Sequence, residues 1–212
     1  MRPSIRCCSA WIVVALVVLT GFTGEPRAFV LSGPKWPQPQ TRYYVNSANL
    51  DMPGTVADAA LRAGAQTWAL QASAFRFLNA GPSSQTTNTN DGINLVMFRN
   101  GSSGSAIATT YWWYDGSRIL DADIVFWDGA FRFFAGSSGC SGGFYIEDIA
   151  AHEFGHALGL GHSTSPTATM YPSAFTCDSS MRSLDADDIS GVRALYPPEL
   201  PPPPPTGFRI VR

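Results

Sequence analysis

Eleven consecutive residues, His152-Glu153-Phe154-Gly155-His156-Ala157-Leu158-Gly159-Leu160-Gly161-His162, constrain this chain more than any other feature of it. Two histidines at i and i+4 lie one turn apart on the same face of a helix, where their imidazoles can converge on one point. The third follows six residues later, and a helix continued that far would not return it to that point. Gly159 resolves the geometry, because glycine takes the left-handed conformation that ends a helix. The spacing predicts a helix from Tyr145 to about Leu158, a break at Gly159, and a reversal that brings His162 beside His152 and His156.

Three imidazole nitrogens with a fourth position left open form the ligand set of a catalytic zinc ion. Glu153 follows the first ligand and can reach a water on the ion without binding the metal itself. Zinc acidifies such a water and polarises a carbonyl. Glu153 would take the proton as the water attacks, then pass it to the leaving amine. The chain has three histidines, all of them in this segment, and scattered core histidines would not fall at this spacing. HExxH alone is a modest signal, whereas the eleven-residue form is strong. With every histidine committed to metal, the cysteines are poor candidates for nucleophiles.

At the N-terminus, Arg2 and Arg6 precede an apolar run from Trp11 to Leu19, followed by Gly21, Thr23 and Gly24. This is the layout of a secretory signal peptide, expected over residues 1–28. The run is shorter than the roughly 20 residues of a membrane span, so no stable membrane insertion is expected after cleavage. Cys7 and Cys8 would leave with the signal, and Cys140 and Cys177 would remain. An even count in an exported chain suggests a disulfide, with two free thiols as the alternative. A formal net charge of −2 offers no basic footprint for nucleic acid. The expectation is a secreted monomer, extracellular or periplasmic, acting on protein or peptide.

Between these landmarks the pattern alternates. Strands are expected at residues 41–47, 75–78, 93–98, 106–114 and 118–127, the last two meeting at the hairpin dipeptide Asp115-Gly116. A helix is expected from a cap at Asp51 or Thr55 to about Leu70, with Val56, Ala60 and Trp68 on one side. Residues 81–92 read as a loop, and an aromatic stretch from Phe131 runs into a Gly/Ser loop holding Cys140. A final helix is expected from an N-cap at Ser183, with Asp185, Asp187 and Asp188 near its first turn, and Pro197-Pro198 stops it. The folded domain spans residues 33–198, and 199–212 read as a Pro-rich tail or linker.

The histidine segment resembles the signature of the metzincin zinc peptidases, and the likeness continues downstream. Ala168-Thr169-Met170-Tyr171-Pro172 resembles their Met-turn, with Met170 beneath the metal, and residues 184–196 resemble the closing helix of the matrixin branch. The resemblance is strong over residues 144–197 and mostly architectural over 34–143. It implies an α+β fold, a twisted mixed five-stranded sheet with an active-site helix and a C-terminal helix, split by a cleft. It also implies that the strand near residues 106–111 edges the cleft, that residues 172–175 wall the pocket beside the scissile bond, and that Asp188 braces the Met-turn.

This chain departs from the branch in places. Val125 stands where a ligand of a second, structural zinc is usual, and Trp127 where a calcium-binding aspartate is expected. One zinc is therefore expected. Calcium is left as a secondary possibility at Asp91, Asp115, Asp121, Asp123 and Asp128, whose plainer reading is turn and strand-end carboxylates. Little chain separates the signal from Gly33, so latency through a propeptide cysteine is not expected, and the compact microbial members are the better likeness. Tyr171 reads as structural. Trp112, Trp113 and Tyr114 either line a subsite or pack the far side of the sheet. A bridge between Cys140 and Cys177 would brace the active-site helix and the Met-turn together. Against an endopeptidase stand two other readings: a secreted binding protein that keeps zinc as scaffold, and a zinc hydrolase of some non-peptide bond. Glu153 argues against the first, since a structural zinc is closed by four protein ligands and needs no poised carboxylate.

Overall fold

Aromatic and β-branched runs form the sheet, and small residues let the helices lie close beneath it. The computed structural model describes residues 28–69 and 73–198. Almost all of the signal segment, Leu70 and the Pro-rich tail lie outside the described residues. Within them the order is β1 (Gln40–Asn46), α1 (Gly54–Ala69), β2 (Arg76–Pro82), β3 (Leu95–Arg99), β4 (Ala108–Asp115), β5 (Arg118–Trp127), β6 (Phe133–Phe134), β7 (Phe144–Tyr145), α2 (Ile146–Leu158) and α3 (Ala186–Leu195). The five-stranded sheet runs β2-β1-β3-β5-β4. Its first four strands are mutually parallel, and β4 is antiparallel to β5. The fold is α+β with a mixed sheet, as the matrixin likeness implies.

Antiparallel β4 follows from local chemistry. Gly116 takes φ 56°, and Asp115 pairs with Arg118, so a two-residue turn returns the chain as a hairpin. The parallel pair β1–β2 needs a crossover, which α1 supplies. As a result β4 lies at the free edge of the sheet, next to α2.

The main core lies between the sheet and the helices. Trp68, Phe75, Phe126, Phe133 and Phe154 are fully buried there. Tyr43, Phe77 and Phe154 form a mostly edge-to-face aromatic cluster joining β1 and β2 to α2. A second, smaller cluster covers the other face of the sheet: Leu95, Met97, Val125 and Trp127, with Tyr111 and Tyr44 against them. The two positions that depart from the metal-binding pattern, Val125 and Trp127, are thus part of an apolar layer.

Helix α1 buries Ala57, Leu61, Gly64, Ala65 and Trp68, a 3–4 spaced face. Val56, expected on that face, is 42% exposed. The buried stripe is set by its small residues, because α1 must approach α2 closely. A Cβ on Gly64 would fall 2.6 Å from Ala150 Cβ and 2.7 Å from the Ala151 nitrogen. Trp68 donates its indole N–H to the Ala151 carbonyl at 2.8 Å.

Several boundaries differ from the sequence expectation. Neither Asp51 nor Thr55 caps α1. The Pro53 carbonyl accepts from Val56 and Ala57, and the Asp51 carboxylate accepts instead from the Phe133 N–H. Strand β2 reaches Pro82, into the stretch read as loop, because its parallel partner β1 continues that far. The short β6–β7 pair was not expected, since two-residue strands leave no periodicity to read. Helix α3 is capped by Asp185, not Ser183, and Asp188 completes a capping box with it.

The α1–α2 contact gives a test. Gly64→Ala is expected to lower the unfolding free energy by about 2 kcal/mol, despite alanine's higher helix propensity, because the added methyl meets backbone. Urea denaturation reads this as a lower midpoint. An unchanged midpoint would mean that the helices can separate without cost.

Candidate active site

Helix α2 is buried along its length except at Glu147 and His156. A helix end in that setting must have its carbonyls satisfied. Trp36 Nε1 donates to the Ala157 carbonyl at 2.8 Å, and the Tyr196 hydroxyl to that of Leu158 at 2.9 Å. Gly159 stops the helix at φ 108°, where a Cβ would lie 2.5 Å from the Pro34 carbonyl oxygen. Beyond it the chain is pinned in its reversal. The Ser32 N–H donates to the Gly159 carbonyl and the Gly161 N–H to that of Val30.

That reversal brings His162 to His152 and His156. One nitrogen from each ring lies within 4.8 Å of the others, and His156 Nε2 is 3.2 Å from His162 Nε2. His152 Nδ1 is 2.7 Å from the Thr169 carbonyl, and His156 Nδ1 is 2.9 Å from that of Leu160. A carbonyl only accepts, so both Nδ1 atoms carry the proton and both Nε2 lone pairs face the centre. Burial, helped by neighbouring His156, pushes His152 down to about 3, so the ring is neutral at neutral pH. Burial lowers His156 and His162 too. Neutral nitrogens with inward lone pairs, converging beside an open cleft, fit a zinc ion that keeps one exchangeable position. Among the described residues these three form the single group of histidine, cysteine or carboxylate side chains close enough to hold a metal.

Glu153 sits beside them, 5% exposed, at the floor of a cleft of about 620 Å³. Burial raises its carboxyl to about 7, opposed by a hydrogen bond from Thr110. Residues 105–110 of the β4 side form one wall of the cleft, and 171–174 form the other. Phe131, Phe144, Ile149 and Met181 make its apolar interior. Trp112, left open between two readings, lines this cleft, with its ring edge-on to His156 at 6.3 Å. Tyr114 is 59% exposed.

Met170 is buried against Gly155 of α2. A Cβ at Gly155 would meet Trp68 Cζ2 at 2.6 Å and the Met170 sulfur closer still, which explains glycine inside the motif. Asp188 holds this turn from below. Its carboxylate, fully buried, accepts from the Thr169 N–H at 2.7 Å, the Met170 N–H at 3.1 Å and the Asp185 N–H at 2.9 Å.

Cys140 and Cys177 are joined as a disulfide, with Cα atoms 5.4 Å apart. The bridge ties the loop before α2 to the one that follows the cleft wall. Arg182 fastens the end of that second loop. Its guanidinium pairs with Asp148 and Glu147 on the first turn of α2 and donates to the Gly136 carbonyl. Sequence reading missed Arg182, Asp148 and Thr110. An isolated charge or hydroxyl carries no spacing signal, and each partner is distant in the chain.

Three of the carboxylates named for calcium, Asp121, Asp123 and Asp128, accept from backbone N–H groups. Asp121 accepts from the Asp91 and Gly92 N–H groups, and Asp123 from those of Thr89 and Leu95. Together they anchor the loop across the outer face of the sheet. Asp128 accepts from the Leu50 N–H at 2.6 Å.

Residues 35–197 match the protein family described as Matrixin. Human matrix metalloproteinase-20 is 31% identical over 176 residues, covering 78% of this chain and 33% of that protein. Human neutrophil collagenase is 51% identical over 59 residues, 28% of this chain and 13% of its own length. Matrix metalloproteinase-27 of Tupaia belangeri is 50% identical over 54 residues, 26% of this chain and 10% of its own. The chain spans about a third or less of the length of these relatives.

Zinc added to metal-stripped protein is expected to raise its melting temperature, with about 4 kcal/mol of linkage at a thousandfold excess over the dissociation constant. His162→Ala, the most exposed of the three positions, should keep the fold and lose most of that shift. An equal zinc response in the variant would remove His162 from the site.

Proposed function

The chain belongs to the matrixin family, and from that premise we propose that it is a secreted, zinc-dependent endopeptidase in which His152, His156 and His162 hold the metal and Glu153 is the general base. The observation that carries this reading is the placing of one buried carboxyl beside three neutral, inward-facing imidazoles at the floor of an elongated cleft. Zinc, when bound, supplies a Lewis acid that acidifies water and polarises the scissile carbonyl.

The chain's own residues do the rest. The free edge of β4 offers unpaired backbone groups to an extended peptide, which would lie along the cleft as an added strand. The pocket of Phe131, Phe144, Ile149 and Met181 would take an apolar side chain next to the cut. Glu153 would accept a proton from the attacking water at a carboxylate oxygen and return it to the leaving amine. Burial raises this carboxyl above its ordinary range, which favours holding the proton between the two halves of that transfer. Met170 and Asp188 would act as support, fixing the floor on which His152 stands. Secretion is supported by the N-terminal signal-like sequence and by the Cys140–Cys177 bridge, which suits an oxidising compartment.

Cleavage of a quenched fluorescent peptide library tests the proposal. Wild type is expected to cut in a zinc-dependent manner that a chelator abolishes. Glu153→Ala should lose at least about a thousandfold in kcat/KM while keeping about one zinc per chain. A folded, zinc-loaded wild type that cuts nothing would favour a scaffold role for the metal.

A further inference from the structure

We propose that Thr110 is a positioning residue for the general base, orienting the Glu153 carboxylate from the same strand that would seat the substrate; the proposal rests on the endopeptidase reading above. The Thr110 hydroxyl lies 2.6 Å from Glu153 Oε2 and 3.1 Å from the Glu153 backbone carbonyl. A hydroxyl has one proton to give, and the shorter contact has the length of a charge-assisted bond. Among the described residues, the groups that hydrogen-bond this carboxyl belong to Thr110 alone, its hydroxyl at short range and its backbone N–H. The terminal torsion of a glutamate is broad and two-fold, so an unheld carboxylate samples many orientations. Fixing Oε2 leaves Oε1 as the oxygen that meets the reacting proton.

The placement gives the contact its meaning. Thr110 lies on edge strand β4, paired with Ile124 of β5. Its neighbour Thr109 points to the opposite face, where its hydroxyl accepts from Trp127 Nε1 at 2.9 Å. Adjacent threonines thus fasten one strand on both sides, one to the sheet's outer layer and one to the base. A strand needs only a β-branched residue at position 110, and valine would serve it equally. The hydroxyl is the part that fold alone does not require. Because the strand beside an incoming peptide also holds the base, substrate alignment and carboxylate alignment share one rigid element.

The test compares Thr110→Val, which keeps shape and loses the hydroxyl, with Thr110→Ser, which keeps the hydroxyl. In zinc-loaded protein, Thr110→Val is expected to lose about tenfold in kcat with KM and zinc content unchanged, and Thr110→Ser to stay at the wild-type rate. In metal-free protein, the 13C resonance of the Glu153 carboxyl should move in Thr110→Val and not in Thr110→Ser. An unchanged kcat in Thr110→Val, or an equal loss in both variants, overturns the proposal. Should Thr110→Val not fold, the wild-type and Thr110→Ser spectra decide: a Thr110 hydroxyl proton that correlates with the Glu153 carboxyl supports it, and its absence overturns it. A wild type that cuts no peptide but shows the hydroxyl-dependent resonance shift sinks the endopeptidase reading and leaves the hydrogen bond's hold on Glu153 standing.

Discussion

Helix α2 is enclosed on nearly every side, and the rest of the molecule follows from satisfying it there. Enclosure is possible only because two neighbours come close at glycines: α1 at Gly64, and Met170 at Gly155. A helix so placed cannot leave polar groups to water. Its C-terminal carbonyls are met by Trp36 and Tyr196, its first-turn acids by Arg182, and its histidines by the carbonyls of Thr169 and Leu160. The imidazoles are oriented by the same accounting that allows the helix to be buried. Structure and site are one solution to one problem.

A chain of support runs outward from that helix. Asp188 completes the capping box of its own helix, holds the Thr169 and Met170 N–H groups, and so sets the Thr169 carbonyl that receives His152. One carboxylate therefore links the start of α3, the Met170 turn and the first imidazole. Its burial costs desolvation, and three backbone donors offset that cost. The outer face of the sheet is solved differently, with apolar packing of Val125 and Trp127 and with Asp121 and Asp123 holding a polar loop by its N–H groups.

What the sequence made legible was the chemistry governed by spacing. The i, i+4 histidines, the break at Gly159 and the return of His162 are local geometry, and the structure reproduces them. The Asp115-Gly116 hairpin and the order of strands were readable for the same reason. Less was legible where a residue acts through a distant partner. Ser183 is the cap expected from the sequence, yet Asp185 takes that place because Asp188 can answer it three residues later. Thr110 looked like an ordinary strand threonine until the fold placed Glu153 beside it. Val56 fitted a helical stripe, but close approach to α2 selected the smaller face instead. The Cys140–Cys177 pairing followed from counting, whereas its place behind the cleft wall required the fold.

The two walls of the cleft are built by unlike means. One is a strand laddered to the sheet, and any change in it propagates into β5. The other is a loop between Met170 and Arg182, outside any strand or helix and fastened at its far end by a disulfide and an ion pair. Residues 172–176 can therefore change in size and polarity while both moorings stay in place and the imidazoles keep their partners. The shape of the cleft and the hold on the histidines are mechanically separable in this architecture. Descendants of such a chain can reshape the cleft without rebuilding the histidine cluster.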